Sequence, residues 1–229
     1  MKSQKLKMSF DPHTIEHLGI KMYSVLPNAI AELIANAYDA EARTVHVKLY
    51  NDNGNKRIAV IDDGVGMSFD EINNNFLRIG RKRRTDDDGL SPNGIRKVTG
   101  RKGLGKLAFF GIGDTIRITT CQNGQCVKFT LSWPELMSTN SQEYEPKFSI
   151  YKCDTKQNGT IIELDDLKRK SDFDKDGLAI SLSKLFNFFD DTFKVYISYN
   201  EEGELLINNE LKYQNLSPQI IWVFPNEDV

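Results

Sequence analysis

Residues Ala29–Ala40 read AIAELIANAYDA, and the fold turns on how this stretch is wound. At about 100° per residue, Glu32 set at zero puts Asn36 at about 40° and Asp39 at about −20°. Ile30, Leu33, Ile34 and Ala37 then fall between about 100° and about 200°. One narrow stripe is carboxylate, amide, carboxylate, and the opposite stripe is aliphatic. The aliphatic stripe predicts a helix over Val25–Asp39 lying on a core, with Pro27 in its first turn, where its missing N–H costs nothing. The polar stripe is open to two readings at this point: a solvated face, or one wall of a site.

Strand patterns follow the helix. Thr44–Tyr50 (TVHVKLY) alternates like a half-buried strand, Asn51–Asn55 (NDNGN) is a turn signal, and Arg57–Ile61 is a second strand. Phe69–Arg78 is a predicted helix, with Ser68 as N-cap and Glu71 as its capping-box partner. Residues 80–103 are rich in Gly, Arg, Lys and Asp and lack periodicity, the mark of a long loop of the kind that is either functional or disordered. A short helix is expected at Leu104–Phe110. Strands are expected at Thr115–Thr120, Gln125–Leu131, Lys147–Tyr151, Thr160–Leu164, Phe193–Tyr199 and Glu204–Asn208, and a helix at Leu178–Phe189. This order predicts an α+β two-layer sandwich, a mixed and mostly antiparallel sheet with helices on one face.

Composition agrees with a globular chain. Of 229 residues, 39% are hydrophobic and 27% charged, which excludes disordered and collagen-like classes. No apolar stretch approaches the roughly 18 residues of a membrane span, and residues 1–13 lack the apolar core of a secretion signal. The net charge of −2 calls for no polyanionic partner. Cys121, Cys126 and Cys153 are an odd count without a Cys-x-x-Cys pair. This argues against a disulfide framework and for a reduced, cytoplasmic setting.

Two glycine-bearing stretches lie downstream. Asp62-Asp63-Gly64-Val65-Gly66-Met67 follows a strand. Its glycines allow close backbone approach, and an acid at the strand end can accept a hydrogen bond from an exocyclic amine. Alone, it could equally be a plain turn. Gly100-Arg101-Lys102-Gly103-Leu104-Gly105-Lys106 precedes a helix, where free backbone N–H groups suit phosphate. It departs from a true P-loop in having Leu107 where Ser or Thr should follow the lysine, and no buried strand before it. Asn158-Gly159-Thr160 opens a late strand; its sequon is discounted for want of a signal peptide.

Glu32-x-x-x-Asn36-x-x-Asp39-Ala40, Asp62-x-Gly64-x-Gly66-Met67, Gly100-x-x-Gly103-x-Gly105 and Gly159-Thr160 together resemble the GHKL superfamily: gyrase B, ninety-kilodalton heat-shock chaperones, histidine kinases and MutL. The likeness spans roughly residues 10–200, and Ala29–Ala40 looks most like the chaperone-like and MORC-type branch. The resemblance implies a Bergerat-type fold that binds ATP with Mg²⁺. By the same resemblance Asn36 is the Mg²⁺ ligand and Glu32 the general base for the attacking water. Asp39 and Ala40 complete that motif. Asp62 takes the adenine amino group, with Thr160 assisting through a water, and Gly64, Gly66 and Met67 line base and sugar. Lys102, Gly103, Leu104, Gly105 and Lys106 face the triphosphate, for a reaction that needs mostly positioning and charge neutralisation.

Glu32 separates branches of this family. Histidine kinases carry Asn at that place, so the carboxylate implies hydrolysis, and no helix hairpin carrying a phosphoacceptor His is evident. A non-hydrolysing nucleotide switch and a histidine-kinase-type phosphotransfer domain remain the alternatives. His13-x-x-Glu16-His17 matches a zinc-enzyme pattern but has no third ligand placed nearby.

The resemblance implies three parts: an N-terminal arm and first helix at 1–24, the ATP-binding domain at 25–200 with its lid at 80–103, and a C-terminal extension at 201–229. The lid region, 78–106, holds ten of the thirty Lys and Arg residues, more than a triphosphate needs. The surplus is open to three readings: solvated charge, a protein client or dimer contact, and DNA phosphate contact. In several hydrolysing relatives a lysine from a following domain reaches the γ-phosphate. The expectation is therefore a piece of a longer protein, or one that pairs with its own copy in a nucleotide-dependent homodimer.

Overall fold

The computed structural model describes residues 8–9, 25–78, 89–99, 108–138, 143–186, 189–200 and 202–214. The described residues open with a two-residue strand, β1 (Met8–Ser9), within the expected N-terminal arm. The first described helix, α1 (Leu26–Asp39), carries Pro27 in its opening turn and buries Ala29, Ile30, Leu33, Ile34 and Ala37, the predicted aliphatic stripe. Strands β2 (Thr44–Asp52) and β3 (Asn55–Asp62) form a hairpin, with Asn53 and Gly54 at its tip both at positive φ. That is the turn type whose twist suits a two-residue hairpin.

The predicted helix after Ser68 splits. A short helix, α2 (Phe69–Glu71), carries the full capping box, and a π turn (Ile72–Phe76) continues it. Asn73-Asn74-Asn75 are poor helix formers, and the wider turn brings Ile72, Phe76 and Leu77 all into the core. Next come α3 (Ala108–Ile112), β4 (Gly113–Gln122), β5 (Gln125–Ser132) and a helix the sequence did not announce, α4 (Trp133–Ser138). β6 (Glu143–Tyr144) pairs with β1, and β7 (Phe148–Lys152) and β8 (Gly159–Leu167) follow. Helix α5 runs over Lys175–Leu185, earlier than the predicted Leu178–Phe189. Asp174 caps it by accepting from the Gly177 N–H at 2.8 Å, so a polar first turn precedes the apolar residues that signalled it. β9 (Lys194–Tyr199), β10 (Leu205–Ile207) and a 3₁₀ turn (Glu210–Tyr213) complete the described chain.

Among the described residues, eight strands form one sheet in the order β10-β9-β2-β3-β8-β4-β5-β7, with only β2 and β9 parallel. Alternation puts Val45, Val47, Leu49, Ile58, Val60, Ile116, Ile118, Phe129, Leu131, Ile162 and Leu164 on one buried face. Helix α1 packs over β3 and beside α3 and α5, which closes this core. The other face carries charge: Arg57 pairs with Glu163 at 3.1 Å, and Arg117 with Asp165 at 2.7 Å. The architecture is the α+β, mostly antiparallel sandwich expected.

The cysteines differ from expectation. Cys121 and Cys126 form a disulfide across the β4–β5 hairpin, whereas the sequence argued for reduced thiols. Count and spacing along the chain do not reveal the pairing; the Asn123-Gly124 turn brings the two residues face to face.

Candidate functional site

The site is built where the C-terminal end of α1, the end of β3 and the start of β8 converge. Asp62 closes β3 in register with Thr160 of β8, and Thr160 is in register with Thr120 of β4. All three therefore point to the helix-covered side of the sheet. One Asp62 oxygen accepts from the Gly64 N–H at 2.9 Å. Burial pushes the Asp62 carboxyl up to about 6; the N–H groups of Gly64 and Thr160 pull the other way, and neighbouring Asp63 adds to the rise. The result is a desolvated carboxyl at a strand end, able to accept from an amine donor.

Thr120 has no solvent exposure. Its Oγ1 accepts from the Met67 N–H at 2.9 Å and lies 3.1 Å from Thr160 Oγ1. The loop after β3 is thereby tied to two strands. The glycines of this loop serve the protein's own packing. A Cβ on Gly66 would lie 1.9 Å from the Cys121 carbonyl oxygen, and its φ is +70°. A Cβ on Gly64 would lie 2.7 Å from the Ala40 oxygen, which accepts from the Val65 N–H at 2.9 Å. Ala40 thus docks the loop onto the helix end. Asp63 is turned away: its Oδ1 accepts from the N–H groups of Arg43 and Thr44 at 2.7 and 2.8 Å.

Glu32 and Asn36 sit one turn apart on α1 and are both half-buried, so they share a side of the helix, as the angular reading predicts. Asp39 differs from them. It is only 5% exposed, and its Oδ1 accepts from both the N–H and Oγ1 of Thr99, at 2.7 and 2.9 Å. These contacts hold Thr99, at the end of the expected lid segment. The geometry joins Asp62, Gly64, Gly66, Met67, Thr160 and Ala40 directly. Lys102, Gly103, Leu104, Gly105 and Lys106 lie outside the described residues, as do His13, His17 and most of the basic lid.

The described part of the expected lid, 89–99, forms a small hairpin with a Leu90–Lys97 bridge. It is clamped to the end of α1 by residues that sequence reasoning passed over. The helix ends with Glu41 at φ +62°, a place glycine usually holds, while the Ala42 N–H reaches the Ala37 carbonyl at 3.0 Å. Glu41 accepts from Ser91 Oγ at 2.6 Å, the Asn93 N–H at 2.8 Å and Asn93 Nδ2 at 2.7 Å. Burial tends to raise its carboxyl, but the Ser91 and Asn93 donors outweigh that and hold it below the ordinary value. Arg96 donates to the carbonyls of Tyr38, Ala42 and Thr192 at 2.8–3.0 Å and stacks over the Tyr38 ring at 4.4 Å. A glutamate held in a left-handed backbone was not visible from residue types; the arginine was counted only as lid charge.

Among the described residues, no helix is long and apolar enough to cross a membrane. Comparison with known proteins agrees with the motifs. The family described as "Histidine kinase-, DNA gyrase B-, and HSP90-like ATPase" matches residues 23–160. The chain is 29% identical, over 99% of its length, to a putative type II restriction enzyme HgiDII of Herpetosiphon aurantiacus, covering 36% of that protein. It is 21% identical over its whole length to the chaperone protein HtpG of Chromobacterium violaceum, covering 39% of that chain. Over 44 residues, 19% of this chain and 5% of the relative, it is 46% identical to the ATPase morc-1 of Caenorhabditis elegans. It thus spans just over a third of the first two relatives. With 138 residues matched and the sandwich in place, the chain belongs to the histidine kinase-, DNA gyrase B- and HSP90-like ATPase family.

Proposed function

We propose that this chain is the Mg-ATP-binding and hydrolysing domain of a larger protein, which uses lid closure and dimerisation to gate that protein. Membership of the family supports ATP binding. The observation that carries the reading is Asp62: a buried carboxyl at a strand end, beside Thr160 and a loop fastened by Gly66 and Met67. This donor set fits an adenine. Asp62 accepts from the exocyclic amine, Thr160 assists through a water, and Gly64, Gly66 and Met67 border base and sugar.

Asn36 offers an amide oxygen, a hard donor suited to Mg²⁺. A magnesium ion there would neutralise phosphate charge. Glu32, one turn away, accepts the proton of the attacking water as general base. Lys102, Gly103, Leu104, Gly105 and Lys106 would supply backbone N–H groups and cationic charge to the triphosphate. Asp39 and Ala40 act by position: Asp39 holds Thr99 at the end of the lid hairpin, and Ala40 holds the loop after β3. Contact between the two parts lets a change in the lid be felt at the helix that carries Glu32 and Asn36.

Similarity over 99% of the chain to a protein named a putative restriction enzyme favours DNA over a protein client as what the whole protein acts on. The surplus basic charge of 78–106 is compatible with that. The reading is tested by calorimetry of Mg-ADP against wild type and Asp62→Asn. Loss of binding in the variant supports the assignment, and unchanged affinity refutes it.

A further inference from the structure

The three cysteines are brought together at the site's end of the sheet, on the face opposite the helices. Cys121 and Cys126 are cross-strand partners with Cα atoms 4.1 Å apart, close to the roughly 4.5 Å of a non-hydrogen-bonded antiparallel pair, where side chains come nearest. Cys153 follows β7, and its N–H donates to the Gly124 carbonyl at 3.0 Å across the hairpin tip. Its Sγ lies 2.7 Å from Cys126 Sγ, and the three sulfur atoms are all within 4.8 Å of one another. Cys121 and Cys126 are buried, while Cys153 is partly exposed.

The cluster shares its backbone with the candidate nucleotide site. Cys121 follows Thr120, the residue that holds the Met67 N–H. Its carbonyl is the atom that leaves no room for a Cβ on Gly66, and its register partner on β8 is Gly159, next to Thr160. A shift of the Cys121 backbone is therefore a shift of the loop beneath the proposed adenine.

We propose that Cys121, Cys126 and Cys153 form a thiol–disulfide exchange site whose linkage sets how the end of β4 supports the nucleotide loop. In the exchange, Cys153 loses its proton and its thiolate attacks Cys126 Sγ. The Cys121–Cys126 bond breaks, a Cys126–Cys153 bond forms, and Cys121 leaves with the electron pair and takes up a proton. One disulfide and one thiol are present before and after, so no oxidant is consumed. Cys153 is the entry point because it alone of the three is reachable from solvent. Release of Cys121 frees β4 at the position that braces Gly66. The exchange stands on the sulfur geometry alone; its effect on nucleotide rests on the function proposed above.

The test uses the full chain, purified without reductant, quenched in acid and alkylated with N-ethylmaleimide before peptide mapping. The expected result is label shared between Cys153 and Cys121, with both linkages recovered. Cys153→Ser locks the first linkage and Cys121→Ala the second, and thermal melting checks that each variant folds. Mg-ADP affinity by calorimetry is expected to differ between the locked forms by about fivefold or more. Label on Cys153 alone overturns the exchange. One zinc per chain, with all three thiols alkylated only after chelation, also overturns it and makes the cluster a metal site. Equal affinities in the locked forms overturn the coupling. If neither wild type nor variants bind nucleotide, the functional reading fails, and the mapped linkages still decide the exchange.

Discussion

At Asp62–Met67 the chain is held mainly by backbone; at 89–99 it is held mainly by side chains. The first region rests on strand register, on Gly66 against the Cys121 carbonyl and on the Met67 N–H to Thr120. The second rests on Glu41 and Asp39 reaching across to a short hairpin and on Arg96 reaching back from it. A backbone-packed floor has no alternative rotamer to release it. A clamp made of three side chains can be opened one contact at a time, which is what the proposed lid closure requires. The strain at Glu41, a non-glycine residue at φ +62°, lies on the clamp side.

The largest effect is expected at the floor. Gly66→Ala places a methyl group 1.9 Å from the Cys121 oxygen, in a backbone conformation that disfavours it. A loss of at least about 3 kcal/mol is expected in urea unfolding, as for other strained core insertions. A small loss would mean that the floor yields.

Asp62→Asn separates binding from stability. Nucleotide affinity should fall about 100-fold, roughly 2.7 kcal/mol, while the melting temperature of the ligand-free chain holds or rises at pH 7–8. The sign follows from its raised value. The unfolded carboxyl ionises near 3.8 and the folded one at about 6, so the folded state loses stability as pH climbs through that window. The penalty is absent below it and constant above it, and Asn escapes it. Binding of adenosine, which carries no phosphate, should weaken in wild type as pH drops below about 6. A pH-independent affinity would contradict the adenine role.

Arg96→Ala tests the clamp. It removes three hydrogen bonds to carbonyls and a stacked ring, and a cost of about 1–3 kcal/mol is expected. Hydrogen exchange should quicken across 89–99 but not across 62–67. Equal quickening in both would dissolve the distinction between floor and clamp.

The smallest effect is expected for Glu41→Gln. A depressed carboxyl contributes stability that is present above its unfolded value of about 4.5 and lost as pH falls through the lower folded value. Because the group is largely solvated, the contribution should stay under about 1 kcal/mol. Melting curves at pH 3–7 should show this acid-side loss in wild type and not in the variant.

How much of this was legible in the sequence depends on the range of the interaction. Helix α1 was readable because its stripe is periodic, and the Ser68–Glu71 capping box because its partners are three residues apart. The site motifs were readable as residue types in family order. Their packing was not: no local pattern announces that Gly64 and Gly66 make room for Ala40 and Cys121 backbone. Glu41 to Ser91 and Arg96 to Thr192 span 50 and 96 residues, and no local pattern announces such pairs. The disulfide was missed because the hairpin register, rather than sequence spacing, determines which cysteines meet.

The central claim is tested most directly by measuring Mg-ATP turnover of wild type beside Glu32→Ala, with nucleotide affinity recorded for both. The account predicts slow turnover by wild type, and a Glu32→Ala variant that binds Mg-ATP with unchanged affinity and does not hydrolyse it. Wild-type turnover in the variant, or a wild-type chain that binds no Mg-ATP, would contradict it.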